Sequence, residues 1–200
     1  MEDKLREHIE INEFDEKAKH WNDNIPKRNY DVAFDFIEKF NIQKNATVLD
    51  VACGTGVLFS ILKDKNLSKY IAIDISENMV NKFLDIYPEV DVRQADFERV
   101  VSFENPFDYI IIYNSIPHFN NLDMVFKNAY DNLKIGGKFI IAHSKTRKGL
   151  KEHHKNMGYV SSKKEPIPED GTLLESASKY NFKNNEIKDS DYFCFSCERG

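Results

Sequence analysis

Cysteine is scarce: Cys53, Cys194 and Cys197 are too few for a disulfide framework in a chain of 200 residues. Long apolar runs are missing too. None approaches the roughly 18 residues that a membrane span needs, and the charged start Met1-Glu2-Asp3-Lys4 has no signal-peptide core. A cytoplasmic protein without membrane contact is expected. Positive charge is in deficit, with a net charge of −5, which argues against a general nucleic-acid or anionic-membrane surface. Internal repeats and low-complexity tracts are also absent. What is present, 41% hydrophobic and 30% charged residues, suits one soluble domain with a sizeable core, expected to span residues 1–200.

The stretch around which the chain is organised is Val48-Leu49-Asp50-Val51-Ala52-Cys53-Gly54-Thr55-Gly56-Val57-Leu58. Residues 47–51 form a short apolar run that reads as a buried strand, and Leu58, Phe59, Ile61 and Leu62 have the spacing of a helix packed on a sheet. A strand therefore feeds a glycine turn that opens a helix. Gly54 and Gly56 let backbone approach a ligand closely, and the helix start offers unpaired N–H groups. A dinucleotide site would want a third small residue where Phe59 stands, so a nicotinamide oxidoreductase is the weaker rival reading.

Carboxylates recur at strand tips. Asp50 lies inside the first strand. Asp74 ends a second apolar run, Tyr70-Ile71-Ala72-Ile73-Asp74, before a helix expected to be capped by Ser76, and Asp96 follows a third run. An acid at the second strand's tip can accept hydrogen bonds from both hydroxyls of a ribose. Phe107 to Tyr113 reads as a central strand. Leu122 to Leu133 is a helix ended by Gly136-Gly137, residues 138–142 a fifth strand, and 184–189 with 192–198 a closing pair. Cys194 and Cys197, three apart on a strand, point to opposite faces and cannot share a metal.

D-V-A-C-G-T-G resembles motif I, D-x-G-x-G-x-G, of the class I S-adenosylmethionine-dependent methyltransferases, with Ala52 where the first glycine is common. Alanine suits that position if only a small side chain is needed there, and is a problem if the backbone requires positive φ. I-D-I-S-E-N-M and L-K-I-G-G-K-F-I-I resemble two further motifs of that family. The resemblance implies a three-layer α/β sandwich with a seven-stranded, mostly parallel sheet and an antiparallel last strand.

S-adenosyl-L-methionine is then the expected cofactor, held by Asp50, Ala52, Cys53, Gly54, Thr55, Gly56, Asp74, Ile75, Met79, Asp96, Phe97, Asn114 and Ser115. Ile75 and Met79 would flank the adenine. The chain has no D-P-P-Y or N-P-P-Y, which removes nitrogen methylation of nucleic acids and proteins. Asn114-Ser115-Ile116-Pro117-His118-Phe119 resembles instead the small-molecule, ubiquinone/menaquinone-type branch. A small-molecule methyl acceptor is the implied partner.

His118 and His143, at the tips of the fourth and fifth strands, are the candidate bases, since imidazole can be neutral near pH 7. His118 serves equally as a cover for adenosine or a cap for the following helix. A histidine cluster of His118, His143, His153 and His154 offers a metal-assisted alternative. Neighbours on a helix diverge by about 100°, however, so at most one of the last two points inward, and no metal ligand set is assigned. A non-catalytic S-adenosylmethionine-binding regulator is the reading from a different class.

Residues 1–44 are expected as a helical cap, with Leu5, Ile9, Phe14, Ala18 and Trp21 at helical spacing, followed by a stripe of Tyr30, Ala33, Phe34, Ile37 and Phe40. Phe14-Asp15 through Ala18 to Trp21 resembles the F-D-x-x-A-x-x-W start of many small-molecule members. Residues 143–170 form a polar, lid-like insertion, whose Arg147, Lys148 and Lys151 suit an acidic or phosphorylated substrate.

Overall fold

A computed structural model describes residues 14–157 and 165–200. Leu5 and Ile9 of the expected cap, and residues 158–164 of the expected lid, lie outside the described residues. The strands are β1 (Thr47–Val51), β2 (Lys69–Asp74), β3 (Asp91–Gln94), β4 (Phe107–Tyr113), β5 (Leu133–His143), β6 (Phe182–Asp189) and β7 (Phe193–Arg199). They form a seven-stranded sheet flanked by helices, in the order β3-β2-β1-β4-β5-β7-β6. Parallel pairing holds for β1 with β2, β2 with β3 and β4 with β5, while β7 runs antiparallel to both β5 and β6. This is the α/β architecture expected from the sequence. The chain divides into two compact units, residues 1–96 and 97–200.

In the first unit β1 is buried along Val48, Leu49, Asp50 and Val51, as a β-branched and apolar run between two neighbours should be. Helices α1 (Lys27–Lys39), α2 (Val57–Leu62) and α3 (Glu77–Ile86) accompany the three strands. The face of α1 differs from the expected stripe. Val32, Ala33, Phe36 and Ile37 are buried, whereas Tyr30 and Phe34 are exposed. Val32 and Phe36 complete the apolar arc with Ala33 and Ile37, so burial follows the denser side of the helix.

Where a dinucleotide fingerprint places its third glycine, Phe59 of α2 stacks against Tyr70, Phe83 and Tyr87, with ring centroids 5.0, 5.9 and 4.9 Å apart. An aromatic wedge thus separates helix from strand where that fingerprint needs close approach.

The second unit builds on β4 and β5, with helices α4 (Leu122–Asn132), α5 (Arg147–Asn156) and α6 (Asp170–Lys179). Phe126 of α4 packs edge-on against Phe139 at 5.2 Å and near Phe195 at 5.8 Å. Burying such a ring contributes about 1.5–3 kcal/mol. On the same helix Asn128 and Asn132 are buried and hold the irregular stretch before β4. Asn128 Nδ2 donates to the carbonyls of Phe97 (2.8 Å) and Arg99 (2.5 Å), and Asn132 Oδ1 accepts from Phe103 N–H (3.0 Å).

Gly136-Gly137 is not a helix stop, as expected, but part of β5, which begins at Leu133. Gly136 has φ +77°, and a Cβ on Gly137 would stand 2.9 Å from the carbonyl oxygens of Lys134 and Phe107. The glycines absorb a register shift between Phe107 and Tyr109 rather than capping α4. No helix among the described residues is long and apolar enough to cross a membrane.

Candidate functional site

The glycine turn after β1 is a left-handed loop. Ala52, Gly54 and Gly56 have φ of +55°, +54° and +95°. The first motif position therefore does require positive φ, and Ala52 occupies it under strain. Gly56 could hardly be anything else, because a Cβ there would stand 2.9 Å from the Phe83 ring and 3.1 Å from Tyr87.

Two acids lie beside the loop, and one of them, Asp74, is bonded to it. Asp74 Oδ2 accepts from Gly54 N–H (2.8 Å) while Oδ1 accepts from Ser76 N–H (3.0 Å), which ties the tip of β2 to the glycine turn and to the start of α3. Ser76 caps α3 as expected, its Oγ accepting from Met79 N–H at 3.1 Å. Asp50 accepts from the Tyr70 hydroxyl at 2.5 Å. Burial pushes the Asp50 carboxyl up to about 7, against the pull of the Tyr70 hydrogen bond and with help from Asp74. Asp74 is raised as well, first by burial, with its backbone donors opposing and Asp15 adding to the rise.

Asp15 is a third acid at this loop that strand-tip reasoning did not find. It accepts from Ser76 Oγ and from Asn78 N–H (3.3 Å), while its carbonyl accepts from Asn78 Nδ2 (3.1 Å). Six residues on, the Trp21 indole Nε1 lies 3.8 Å from where a Gly54 Cβ would stand, and Asn22 accepts from the Thr55 hydroxyl. The F-D-x-x-A-x-x-W pattern was the available signal. Its Asp makes the contact with α3, Ala18 is buried, and Phe14 meets Trp21 edge-on at 6.1 Å. Among the described residues none of Asp15, Asp50 and Asp74 has a lysine, arginine or histidine partner.

Of the remaining candidates in this unit, Cys53 is a buried filler whose thiol is held well above its ordinary range by burial and by Asp50 and Asp74. Thr55 and Met79 are buried, Ile75 is half-buried, and Asp96 is half-buried two residues beyond β3. Met79 thus faces the core, and of the pair expected at an adenine only Ile75 presents surface.

In the second unit Phe97 is buried at the start of the stretch held by Asn128. Asn114 sits in the left-handed region (φ +59°), with Oδ1 accepting from Ser144 N–H at 2.7 Å and its own N–H donating to the Ala142 carbonyl at 2.9 Å. This small knot splices the ends of β4 and β5. Ser115 Oγ donates to the Tyr113 carbonyl at 3.0 Å. His118 is exposed at the end of a 3-10 turn, Ile116–His118. It does not cap α4. That role falls to Asn121, whose Oδ1 accepts from Met124 N–H at 3.1 Å.

His143 is buried, and its Nδ1 accepts from Lys145 N–H at 3.0 Å. An Nδ1 that accepts leaves the ring proton on Nε2. Burial first, then the charges of Lys145, His154 and His118, bring the imidazole down to about 3. Near neutral pH His143 is therefore neutral, with its Nδ1 occupied by the Lys145 N–H.

His153 and His154 diverge as helix geometry requires, His153 exposed and His154 half-buried. Among the described residues no group of three His, Cys, Asp or Glu side chains is arranged to hold a metal. The basic residues of the expected lid are engaged. Arg147 donates to the Pro168 carbonyl (2.7 and 3.0 Å), pairs with Asp170 (2.8 Å) and Asp189 (3.4 Å), and lies over the Phe193 ring.

A family model described as a methyltransferase domain matches residues 42–187. The chain belongs to the methyltransferase domain family. It is 30% identical over 112 residues to phosphoethanolamine N-methyltransferase 1 of Arabidopsis thaliana, covering 54% of this chain and 23% of that protein. It is 32% identical over 124 residues to the ubiquinone/menaquinone biosynthesis C-methyltransferase of Rickettsia typhi, covering 56% of this chain and 50% of the relative. The chain thus spans about half or less of the length of these curated relatives. Among solved structures, a SAM dependent methyltransferase from Aquifex aeolicus superposes with a TM-score of 0.66 at 17% identity, covering 92% and 96% of the two chains. Phosphoethanolamine N-methyltransferase 2 of Haemonchus contortus, in complex with S-adenosyl-L-methionine, gives 0.67 at 16% identity, covering 84% and 52%. These likenesses to methyltransferase folds agree with the architecture that the motif resemblance implies.

Proposed function

We propose that this methyltransferase-family chain transfers a methyl group from S-adenosyl-L-methionine to a small-molecule acceptor in the cytoplasm. The observation that carries the reading is the glycine loop with Asp15, Asp50 and Asp74 around it and no cationic side chain paired to any of them among the described residues. Buried or half-buried carboxylates without a cation suit a ligand that brings its own positive charge, as a sulfonium with an ammonium group does. A dinucleotide, doubly negative at its pyrophosphate, suits them poorly.

When bound, the cofactor supplies an electrophilic methyl carbon on a sulfonium. Everything else falls to the chain. Gly54, Gly56 and Ala52 turn backbone toward the ligand, with Cys53 and Thr55 filling the loop. Asp74 would accept from ribose hydroxyls, Asp50 would face the amino-acid end, and Ile75 and Asp96 would take the adenine. His118, exposed and on a short turn, is the residue assigned to proton removal from the acceptor, and His143 orients it as a donor. With the methyl carbon supplied by the cofactor, aligning the acceptor and excluding water would be the chain's main tasks.

Calorimetry with S-adenosyl-L-methionine tests the assignment directly. Asp74→Ala should weaken binding by about 1–3 kcal/mol through loss of the hydroxyl contacts, and NADH should not compete. Unchanged affinity in the variant would remove Asp74 from the site. A pool of small acceptors should yield S-adenosylhomocysteine, whereas tight binding without turnover would favour a regulator.

A further inference from the structure

Four cations lie close together in the chain after β5, and three are neutralised within the fold. Arg147 is bonded to Asp170 and Asp189, Lys148 lies 4.0 Å from Glu152, and Lys151 lies 2.5 Å from Glu165. Lys145 differs: among the described residues no carboxylate pairs with it. Its backbone is fixed on both sides, the N–H donating to His143 Nδ1 (3.0 Å) and the carbonyl accepting from Phe193 N–H (3.2 Å). The side chain is half-buried.

The groups that feel its charge are themselves basic. Burial, then the Lys145 ammonium, lower the basicity of His143, and burial, His153 and Lys145 together lower that of His154. On the largely buried His143 ring the Nδ1 is taken, so the proton is on Nε2, which has no acceptor among the described residues and stays open to solvent, since Arg199 Nε is the only enclosed side-chain nitrogen or oxygen left unpartnered there. A half-buried ammonium on a rigid backbone and a ring N–H open to solvent are both donors that an anionic oxygen would satisfy.

We propose that Lys145 and His143, bordered by His154, form an anion subsite for the methyl acceptor, which therefore carries a phosphate or carboxylate group. The assignment of that anion to an acceptor rests on the methyl-transfer reading above. The subsite itself is built wholly from residues of the second unit. It relocates the acidic-substrate preference from Arg147, Lys148 and Lys151, whose charges the fold has already matched, to Lys145, a half-buried neighbour whose charge is left unmatched among the described residues.

The test is a titration of the full chain, labelled in its histidine rings, with inorganic phosphate and separately with acetate at constant ionic strength. At least one anion should move the His143 and His154 ring resonances along a saturable curve, and the tighter of the two identifies the acceptor's group. Lys145→Met should weaken this binding about tenfold or more, the loss expected for a charge-assisted contact, while Lys145→Arg retains it and Lys148→Met leaves it unchanged. Absence of saturable shifts with both anions, or equal affinity in Lys145→Met, would overturn the subsite. S-adenosylhomocysteine binding on the same samples separates the two readings. A wild type that binds phosphate but no S-adenosylhomocysteine overturns the methyl-transfer reading alone, and equal S-adenosylhomocysteine binding with no anion response overturns the subsite alone.

Discussion

The glycine loop of the first unit and the end of β5 in the second are electrostatic opposites. At the loop, Asp50 and Asp74 are buried with only hydroxyl and backbone donors for company. At the strand end, Lys145 and two imidazoles gather with no acid on the lysine among the described residues. Other charges are matched locally, as in Lys127 with Asp131 and Lys134 with Asp108. The glycine loop and Lys145 both sit on backbone that hydrogen bonds have already fixed. Such a place can hold a charge ready for a ligand, because the surrounding structure does not collapse onto it.

The contrast should be visible first in stability against pH. Asp50 is raised from 3.8 to about 7, so the folded chain keeps a proton that the unfolded chain has released; its contribution is complete below pH 4 and is lost as pH rises to about 7. His143 is lowered from 6.5 to about 3, so its contribution is complete above pH 6.5 and is lost as pH falls toward 3. Asp50→Asn should flatten the first slope and His143→Gln the second, each slope amounting to on the order of 4 kcal/mol across its window. Urea midpoints measured from pH 4 to pH 8 check this. Two variants that both keep the wild-type profile would dissolve the contrast.

A smaller effect sharpens the acid side alone. Gly56→Ala forces a side chain to φ +95° and against the Phe83 and Tyr87 rings, for a loss of about 3 kcal/mol in unfolding free energy. The same change at Gly136, also left-handed but with nothing within 4 Å, should cost only the backbone strain of about 1–2 kcal/mol. Thermal or urea unfolding of the two variants should rank them in that order, and a reversed order would mean that the aromatic wedge yields.

Much of this was legible from local pattern. Strands with apolar β-branched runs, the Ser76 cap, and the spacing of Asp50, Gly54, Gly56 and Asp74 need only neighbours in sequence to make sense. What escaped depends on distant partners. Asp15 meets Ser76 across 61 residues, and Arg147 meets Asp189 across 42. Neither leaves a periodic trace. The start of β5 was misplaced because a glycine pair after a helix usually ends it, and only the Phe107 carbonyl beside Gly137 shows why these two glycines belong to the sheet. Asn128 and Asn132 were recoverable in principle. Two asparagines four apart on an otherwise apolar helix face announce buried hydrogen bonds.

Ala52 joins the two kinds of information and gives the smallest expected effect. The motif alone showed an alanine where a glycine is common, and only the backbone shows that the position is left-handed, at φ +55°. Strain there is about 1–2 kcal/mol, offset in part by the extra freedom that glycine would bring to the unfolded chain. Ala52→Gly should therefore stabilise the protein by about 0.5–1 kcal/mol. If the strain also holds the turn open for its ligand, the gain in urea midpoint should come with weaker S-adenosyl-L-methionine binding, because a glycine lets the empty loop relax away from the bound shape. A stabilised variant with unaltered cofactor affinity would show that the strain is merely tolerated, and that Asp50 and Asp74 alone set the loop.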